Sequence, residues 1–266
     1  MLGRIILIIL ILSPVSKKWF WEVWYDIFAK KAHNTNLRLI DYGYHAPDFK
    51  LNLFEEDDIE AYPIQLYHFV TSHTDIKDKN VLEVGSGRGG GASYIARYLS
   101  PSSITGVDIS NEAVALCLEF YDIPNLNFIC ADSESLPFPD SFFDVLVNVE
   151  SSHCYGDVTK FLKESYRVLK KDGYFLFCDF RTADGLQELY DQFSSSELKF
   201  LNRIDITDNI IQGLDKLSKY REDHIDESLS VFIKKLFKTY AGIKGTEIYN
   251  SFVNGSMIYV CAILKK

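Results

Sequence analysis

The sequence of 266 residues predicts an α/β fold in which a mainly parallel sheet is covered by helices on both faces. Three observations support this prediction. Between residues 80 and 180, short apolar segments of strand length alternate with segments of helical periodicity, which is typical of a parallel sheet. A glycine-rich stretch follows the first of these strands and opens a helix. Near the end of the chain, Asn254-Gly255 precedes a last apolar strand, which predicts an antiparallel closing pair.

The first 18 residues form an apolar N-terminal segment. Residues 5–12 are an unbroken aliphatic run, which Pro14 follows shortly before the basic pair Lys17-Lys18. A helix that spans a bilayer needs about 20 apolar residues, so this run is too short. A signal peptide would have an apolar core of this length, but no small-residue cleavage site follows it. The segment is therefore a candidate membrane-surface anchor.

Residues 19–33 look helical and are rich in aromatic side chains, including Trp19, Trp21, Trp24 and Tyr25. Two interpretations stay open for them. Aromatic residues beside a basic pair suit a helix that lies on a membrane surface. Alternatively, these side chains cap the substrate pocket or core of the protein itself.

The remaining elements can be placed in order. We expect an N-terminal helical cap over 19–75, with its second helix at 60–71. The expected strands of the sheet are 80–84, 104–108, 126–130, 143–149 and 174–180, and the expected helices are 91–99, 112–120 and 158–169. A polar helical stretch, about 185–240, forms a lid insertion. Residues 245–252 look like a strand that pairs with the last strand, 257–264, so residues 19–266 form a single domain.

Composition excludes several classes of function. The net charge of -9 disfavours a nucleic-acid partner, because an acidic surface repels phosphate. The five cysteines are widely spread and contain no Cys-x-x-Cys pair, which argues against a disulfide framework and a zinc site. Reduced thiols fit a cytoplasmic protein. No cluster of Asp, Glu or His has metal-ligand spacing, so we predict no metal.

The glycine-rich loop is ambiguous by itself. Gly85, Gly87 and Gly90 satisfy G-x-G-x-x-G, and Asp108 closes the second strand where a ribose-binding carboxylate belongs. A dinucleotide-dependent dehydrogenase would have the same pattern. Three further features separate the two classes: Glu83 before the first glycine, Ala131-Asp-Ser133 after the third strand, and the lead-in 136–144 to the fourth strand.

With these features, residues 81–180 resemble the class I S-adenosylmethionine (SAM) dependent methyltransferases. The resemblance implies a Rossmann-like seven-stranded sheet with an antiparallel terminal hairpin, and SAM as the cofactor. Glu83 belongs to the cofactor motif of that family. Gly85 and Gly87 would line the methionine part of SAM, Asp108 would accept hydrogen bonds from the ribose hydroxyls, and Ile109 would pack on adenine.

The same resemblance implies further contacts. Asp132, helped by Ser133, would accept a hydrogen bond from the adenine amino group. Asn148, at the end of the fourth strand, would face the sulfonium. Tyr42 and Tyr44 resemble the N-terminal tyrosine that closes over SAM in small-molecule members, and of the two we prefer Tyr44.

The segment after the fourth strand indicates the substrate class. It reads Asn148-Val-Glu-Ser-Ser-His-Cys-Tyr155, without the Pro-Pro-aromatic motif of nucleic-acid methyltransferases or the paired glutamates of protein arginine methyltransferases. It resembles natural-product and lipid O-methyltransferases, and in particular the phthiotriolone-type ketone-lipid family. The tail segments 206–209, 245–249 and 254–255 resemble that family as well. We therefore expect a hydrophobic small-molecule acceptor.

Transfer to a hydroxyl requires removal of a proton, and histidine suits this at neutral pH. His153 follows the fourth strand and Asp179 ends the fifth, so both lie at the edge where ligands bind in such folds. Related small-molecule O-methyltransferases place a His-Asp pair at these positions. We expect His153 to be the general base and Asp179 to orient it, with Glu150 as the fallback. The alternative is that His153 only packs and that catalysis rests on proximity.

Two other functions stay open. A sterol-type C-methyltransferase also has an acidic residue and a histidine after its fourth strand, but its histidine follows a cysteine, whereas His153 precedes Cys154. A protein that binds SAM without transferring methyl is the second alternative.

Overall fold

The computed structural model describes residues 13–31, 38–47, 49–228 and 231–266, which form one seven-stranded sheet with helices on both faces. Its strands are β1 (Asn80–Val84), β2 (Ser103–Asp108), β3 (Leu126–Cys130), β4 (Phe143–Val149), β5 (Leu169–Thr182), β6 (Lys199–Asp205) and β7 (Met257–Lys265). The helices are α1 (Pro14–Lys31), α2 (Ala61–Thr71), α3 (Gly90–Tyr98), α4 (Asn111–Phe120), α5 (Val158–Val168), α6 (Ala183–Ser195), α7 (Thr207–Ser228), α8 (Val231–Tyr240) and α9 (Glu247–Val253). Short 3-10 helices lie at Glu55–Glu60 and Ser152–Cys154. The predicted α/β class is confirmed.

The strand order across the sheet is β3-β2-β1-β4-β5-β7-β6, and the first five strands of this order are parallel. Val84, the last residue of β1, lies opposite Val107 of β2. Because parallel strands end at the same edge of a sheet, the loops after β1 to β4 meet there. We call this the carboxyl edge.

The two faces of the sheet bury separate apolar cores. Along β1, Val81 packs in the core that also contains Leu66 of α2, whereas Leu82 packs in the core that contains Phe161 of α5. Successive side chains of a strand point to opposite faces, so a strand buried on both faces is mainly apolar. This is why residues 80–84 could be recognised as a central strand.

The antiparallel end of the sheet is present, but not as the predicted hairpin. Strand β7 is antiparallel to both β5 and β6. Its partner β6, Lys199–Asp205, lies inside the stretch predicted to be wholly helical, and most of its side chains are exposed. Residues 245–252 are not a strand, because α9 occupies Glu247–Val253 and buries Tyr249 and Phe252 at a three-residue step. The Asn254-Gly255 turn therefore joins a helix to β7.

The N-terminal helix α1 extends over Pro14–Lys31, so it starts before the predicted residue 19. The predicted end at 33 and the apolar run 5–12 lie outside the described residues. Helix α1 contacts α4 and the 3-10 helix Ser152–Cys154, which places it over the carboxyl edge. Among the residues that the structure describes, no helix combines the length and apolarity needed to cross a bilayer.

Candidate cofactor and active site

A cavity of about 360 Å³ lies at the carboxyl edge of the sheet. One part of its wall is the glycine loop after β1, together with the ends of β2 and β3. Another part comes from the segment after β4, which carries His153. Helix α1, residues 38–42 and the lid helices α7 and α8 complete the wall. The cavity therefore joins the predicted cofactor residues to the predicted catalytic histidine.

The glycine loop makes a tight turn that only glycine accommodates easily. Gly85 and Gly87 have positive φ angles of 80° and 53°. The amide N–H groups of Gly85 and Ser86 both donate to the carbonyl of Val107, at 2.7 and 2.9 Å. The turn is thus attached to β2, and Gly85 and Gly87 line the cavity. Their predicted contact with the methionine part of SAM stays a prediction.

The carboxylate of Asp108 is held at the cavity wall by backbone donors. Its oxygens accept hydrogen bonds from the amides of Gly87, at 2.8 Å, and Ser110, at 2.9 Å. Burial raises the pKa of Asp108, although these amides favour its ionised form. Ile109 follows it in the lining, so both predicted residues after β2 lie where an adenosine could contact them.

Asp132 and Ser133 also line the cavity, next to the end of β3. The carboxylate of Asp132 forms an ion pair with the ammonium of Lys18 from α1. Lys18 also lies 3.8 Å from a carboxylate oxygen of Glu134. The residue predicted to bind the adenine amino group therefore already has a cationic partner within the chain.

Two predicted cofactor contacts lie behind the cavity wall. Glu83 is fully buried and accepts a hydrogen bond from the hydroxyl of Tyr67 at 2.7 Å. Asn148 is also fully buried and donates to the carbonyl of Val84 at 2.8 Å. Neither residue belongs to the lining, because strand side chains that precede the edge point into the cores. Both residues thus lie behind the wall, and the contacts with SAM expected of them stay predictions.

The two N-terminal tyrosines have different positions, and a contact of either one with SAM stays a prediction. Tyr42 lines the cavity, whereas Tyr44 is buried and stacks on Phe69 with a centroid distance of 4.7 Å. Residues two apart in an extended chain would face the same side. Gly43 has a φ of 78° and turns the chain, so that the two tyrosines diverge.

The residues at the glycine-loop end fit a SAM molecule. The hydroxyl of Ser86 is buried, lines the cavity and has no hydrogen-bond partner among the described residues. A Cβ atom added at Gly87 would meet no described atom within 4 Å, so the backbone faces open space there. The carboxylates of Asp108 and Asp132 are acceptors suited to hydroxyl and amino groups. A buried hydroxyl without a partner is what a bound polar ligand would satisfy.

His153 and Asp179 form a pair at the other end of the cavity. Nδ1 of His153 donates to a carboxylate oxygen of Asp179 across 2.9 Å. His153 lines the cavity, whereas Asp179 is fully buried behind it. Asp179 also accepts hydrogen bonds from the hydroxyl of Ser152 at 2.6 Å and lies 3.1 Å from the guanidinium of Arg181. The carboxylate is thus fixed by several donors.

The charges of this pair are opposite. Burial by itself would raise the pKa of Asp179, but His153 and Arg181 hold it below its usual range. Burial also disfavours a charged imidazole, yet Cys154 and Asp179 outweigh this and raise the pKa of His153 to about 10. The imidazole is therefore mainly protonated at neutral pH in the unliganded protein. The neutral form, which can accept a proton, becomes more abundant as the pH rises.

Glu150, the fallback base, has an unusual backbone for a non-glycine residue, with a φ of 44°. Its carboxylate lines the cavity and accepts hydrogen bonds from the amide of Tyr42 and the hydroxyl of Tyr259, each at 2.7 Å. Burial raises the pKa of Glu150 to about 7. Glu150 thus connects the segment 38–42 to the end of β4 and to β7.

Apolar and aromatic side chains also line this cavity. They come from β5, α1 and the lid, and include Phe180, Trp21, Tyr25, Ile225, Phe237 and Tyr240. We call this group the apolar compartment. For Trp21 and Tyr25 this is the arrangement that the second interpretation of the N-terminal aromatics predicts. Trp19, by contrast, is 54% exposed on another side of α1.

Sequence reasoning missed several lining residues. Lys18, Trp21 and Tyr25 are spaced by three and four residues, so one face of a helix carries all three, and this signal was available. No sequence signal identifies Arg221, which is buried in the lid and donates to the backbone carbonyl of Asp41. Among the described residues, no group of three or more His, Cys, Asp or Glu side chains could hold a metal ion.

The sheet topology and this cavity define a class I SAM-dependent methyltransferase, and SAM is its cofactor. Residues 82–177 match a family model described as a methyltransferase domain. The chain belongs to the family of the phthiotriol/phenolphthiotriol dimycocerosates methyltransferases. It is 33% identical over 248 residues to the phthiotriol/phenolphthiotriol dimycocerosates methyltransferase of Mycobacterium tuberculosis, which covers 93% of this chain and 92% of the relative.

The chain is also similar to a second mycobacterial methyltransferase and to a solved crystal structure. The fatty-acid O-methyltransferase of Mycolicibacterium smegmatis is 34% identical over 217 residues, covering 81% of this chain and 79% of that protein. The crystal structure of the [4+2]-cyclase SpnF is similar with a TM-score of 0.71 at 20% identity, covering 92% of this chain and 94% of that chain. At this identity the second similarity concerns the fold alone.

Proposed function

We propose that this protein transfers the methyl group of SAM to a hydroxyl of a hydrophobic lipid or polyketide-like molecule, with His153 as the general base. The observation that carries the proposal is the position of the His153-Asp179 pair. His153 lines the same cavity as the glycine loop and the apolar compartment, and its Nδ1 lies 2.9 Å from the carboxylate of Asp179 behind the wall. A polar cofactor and an apolar acceptor could thus meet at His153.

The roles of the two residues follow from their hydrogen bond. An ionised carboxylate can only accept, so in the neutral imidazole of His153 the single proton lies on Nδ1, which donates to Asp179. Nε2 of this neutral form is then available to take the proton of the acceptor hydroxyl. SAM, when bound, supplies an electrophilic methyl group on its sulfonium. The acceptor oxygen would take this methyl group as the bond to sulfur breaks, and Nε2 of His153 would receive the hydroxyl proton. Asp179 then stabilises the resulting imidazolium.

The apolar compartment supports a lipid-like acceptor. Phe180, Ile225 and Phe237 offer apolar contact area, and apolar burial is the main source of affinity for such molecules. The names of the relatives, which refer to phthiotriol dimycocerosates and fatty acids, agree with this class. Both relatives are named as methyltransferases, and one specifically as an O-methyltransferase.

Methylation of carbon is the second candidate. Glu150 lies in the same cavity as His153, and its strained backbone is the kind of feature that clusters at active sites. Aromatic rings near it, Tyr42 and Phe180, could stabilise a cationic carbon. On this mechanism Glu150, rather than His153, would accept the proton. Binding of SAM without transfer, the other alternative that the sequence leaves open, is the third candidate.

The test uses SAM with a labelled methyl group and a panel of long-chain alcohols, hydroxylated lipids and unsaturated lipids. Label in an ether of the alcohol supports O-methylation, and label on the carbon chain of an unsaturated lipid supports C-methylation. Tight binding of SAM without any labelled product would support the third candidate.

The His153→Ala variant tests the base. We expect turnover to fall at least about a hundredfold while the affinity for SAM changes little. His45→Gln is a suitable control, because His45 packs on Tyr62 and is not part of the cavity lining. Unchanged turnover in His153→Ala would remove the base assignment.

Membrane-surface attachment of residues 1–18 stays a prediction. Val15, Trp19 and Val23 are exposed at four-residue steps on α1, which gives a single apolar stripe. Flotation with phosphatidylcholine vesicles, with and without residues 1–12, would test it. Equal flotation of both forms would contradict an anchor in this segment.

A further inference from the structure

The geometry points to Trp21 as a residue that determines which acceptors the enzyme methylates, because its indole lies between the ring of His153 and Tyr240 of the lid. This inference rests on the proposed function of the cavity. It assigns a role in acceptor selection to α1, a helix outside residues 82–177, which match the methyltransferase domain model.

Helix α1 has two different sides. Lys18, Trp21 and Tyr25 line the cavity. On another side, Val15 and Trp19 are 79% and 54% exposed. Two tryptophans, two positions apart in one helix, therefore have opposite environments.

Polar contacts on both sides of Trp21 fix the position of α1. Lys18 pairs with Asp132, beyond the end of β3. Asp26 accepts a hydrogen bond from the hydroxyl of Ser110, at the N-terminus of α4. The indole of Trp21 lies between these two attachments, so its place relative to the sheet is set from both sides.

The contacts of Trp21 place it beside the proposed base. Its ring centroid lies 6.0 Å from that of His153 in an edge-to-face arrangement, and 6.1 Å from that of Tyr240. Phe180 packs against His153 as well, with a centroid distance of 4.4 Å. Two aromatic side chains therefore limit the space around the imidazole. An acceptor hydroxyl that reaches His153 must fit the space that Trp21 and Phe180 leave.

This arrangement predicts discrimination by bulk next to the hydroxyl. A primary alcohol has one carbon substituent at the reacting carbon, and a secondary alcohol has two. Rigid aromatic rings leave little room for the second substituent, because close-packed side chains accommodate extra volume only at a cost in free energy. Trp21 should therefore disfavour secondary alcohols relative to primary ones.

The first experiment measures kcat/KM for 1-dodecanol and 2-dodecanol in the wild type and in Trp21→Ala, Trp21→Phe and Trp19→Ala. We expect the primary-to-secondary ratio to fall at least about fivefold in Trp21→Ala and less in Trp21→Phe. The ratio in Trp19→Ala should stay within about twofold of the wild type. A purely structural effect lowers both rates together, so an unchanged ratio in Trp21→Ala would overturn the inference.

The second experiment does not depend on methyl transfer. Equilibrium dialysis measures binding of tritiated 1-dodecanol to the protein loaded with S-adenosylhomocysteine. We expect Kd to rise at least about tenfold in Trp21→Ala and to stay unchanged in Trp19→Ala, because truncating an indole that lines the cavity removes apolar contact area. The affinity for SAM should stay the same in both variants.

The two experiments separate the possible failures. If the wild type methylates neither alcohol but binds 1-dodecanol with the expected dependence on Trp21, the proposed O-methylation fails and the role of Trp21 in acceptor binding stands. Equal losses of binding in Trp19→Ala and Trp21→Ala would overturn the role of Trp21. The absence of saturable binding by the wild type would overturn it too.

Discussion

The backbone of Gly85 lies so close to Ser151 that a Cβ atom added at Gly85 would come within 2.3 Å of the serine hydroxyl oxygen. The glycine loop and the segment after β4 are therefore packed directly against each other. Gly87, two residues later, has the opposite environment, because a Cβ atom there would meet no described atom within 4 Å.

This contrast predicts different outcomes for two similar substitutions. Gly85→Ala should lower the melting temperature strongly, because the new methyl group displaces Ser151 in addition to straining the positive φ. Gly87→Ala introduces only the strain of a positive φ, which costs about 1 kcal/mol, so the variant should keep the fold but bind SAM more weakly. Thermal melts and SAM titration of both variants measure this. Equal melting temperatures would contradict the packing argument.

The dependence of turnover on pH tests the state of His153. Its raised pKa, about 10, keeps the imidazole protonated at neutral pH, and only the neutral form can accept a proton. We expect kcat/KM for the acceptor to rise from about pH 6 to about pH 9, with bound SAM shifting the rise to lower pH because its positive charge disfavours imidazolium.

The Asp179→Asn variant provides a second test of the protonation state of His153. Loss of the carboxylate lowers the pKa of His153, so the rise should move to lower pH, while the maximum rate falls at least about tenfold because the imidazole loses its orienting partner. Asp157→Asn, at the N-cap of α5, is the control and should leave the profile in place. A profile that is flat over this range in the wild type would argue against a histidine base.

The ion pair between Lys18 and Asp132 predicts competition with the cofactor. If Asp132 accepts a hydrogen bond from adenine, Lys18 must give up part of its contact when SAM binds. Such a partly exposed pair contributes about 0–1 kcal/mol, so Lys18→Gln should tighten SAM binding by at most about fivefold. Asp132→Asn should weaken it about tenfold. Isothermal titration of both variants provides the comparison, and weaker SAM binding by Lys18→Gln would contradict competition.

Glu83 predicts how stability depends on pH. Burial raises the pKa of Glu83 to about 8, above the usual range of a glutamate, so the folded protein holds a proton that the unfolded chain releases at lower pH. Stability is therefore lost as the pH rises from the unfolded to the folded pKa. Glu83→Gln keeps the shape without the ionisation, so the fall in melting temperature between about pH 5 and about pH 9 should shrink by at least about 3 °C. The exposed Glu197→Gln should show the same fall as the wild type.

The sequence was sufficient for features that depend on local pattern. The strand before the glycine loop is mainly apolar because it is buried on both faces. Asp108 is the last residue of β2, Asp132 lies two residues after β3, and the ends of these strands meet at one edge. His153 and Asp179 could be paired for the same reason. In each case the residue's position in the chain determines its position in the sheet.

Features set by tertiary packing were not accessible in this way. Strand β6 is an edge strand with mostly exposed side chains, so it lacks the apolar alternation that distinguishes a strand from a polar helix. Residues 247–253 contain β-formers, but their docking against the sheet selects a helix. Tyr42 rather than Tyr44 lines the cavity because Gly43 has a positive φ and turns the chain. The position of Trp21 in the lining depends on how α1 packs against the rest of the protein.

The direct packing of the glycine loop against the segment after β4 has a consequence for engineering. The glycine loop and the segment after β4 pack against each other and continue directly from strands of the sheet. Helix α1 and the lid helices contribute only their inner surfaces to the cavity. Exchanging these peripheral helices between related proteins would alter the range of acceptors without rebuilding the reaction centre. Libraries aimed at new acceptors should therefore vary the cavity-facing positions of α1 and α8 and keep residues 83–91 and 148–155 constant.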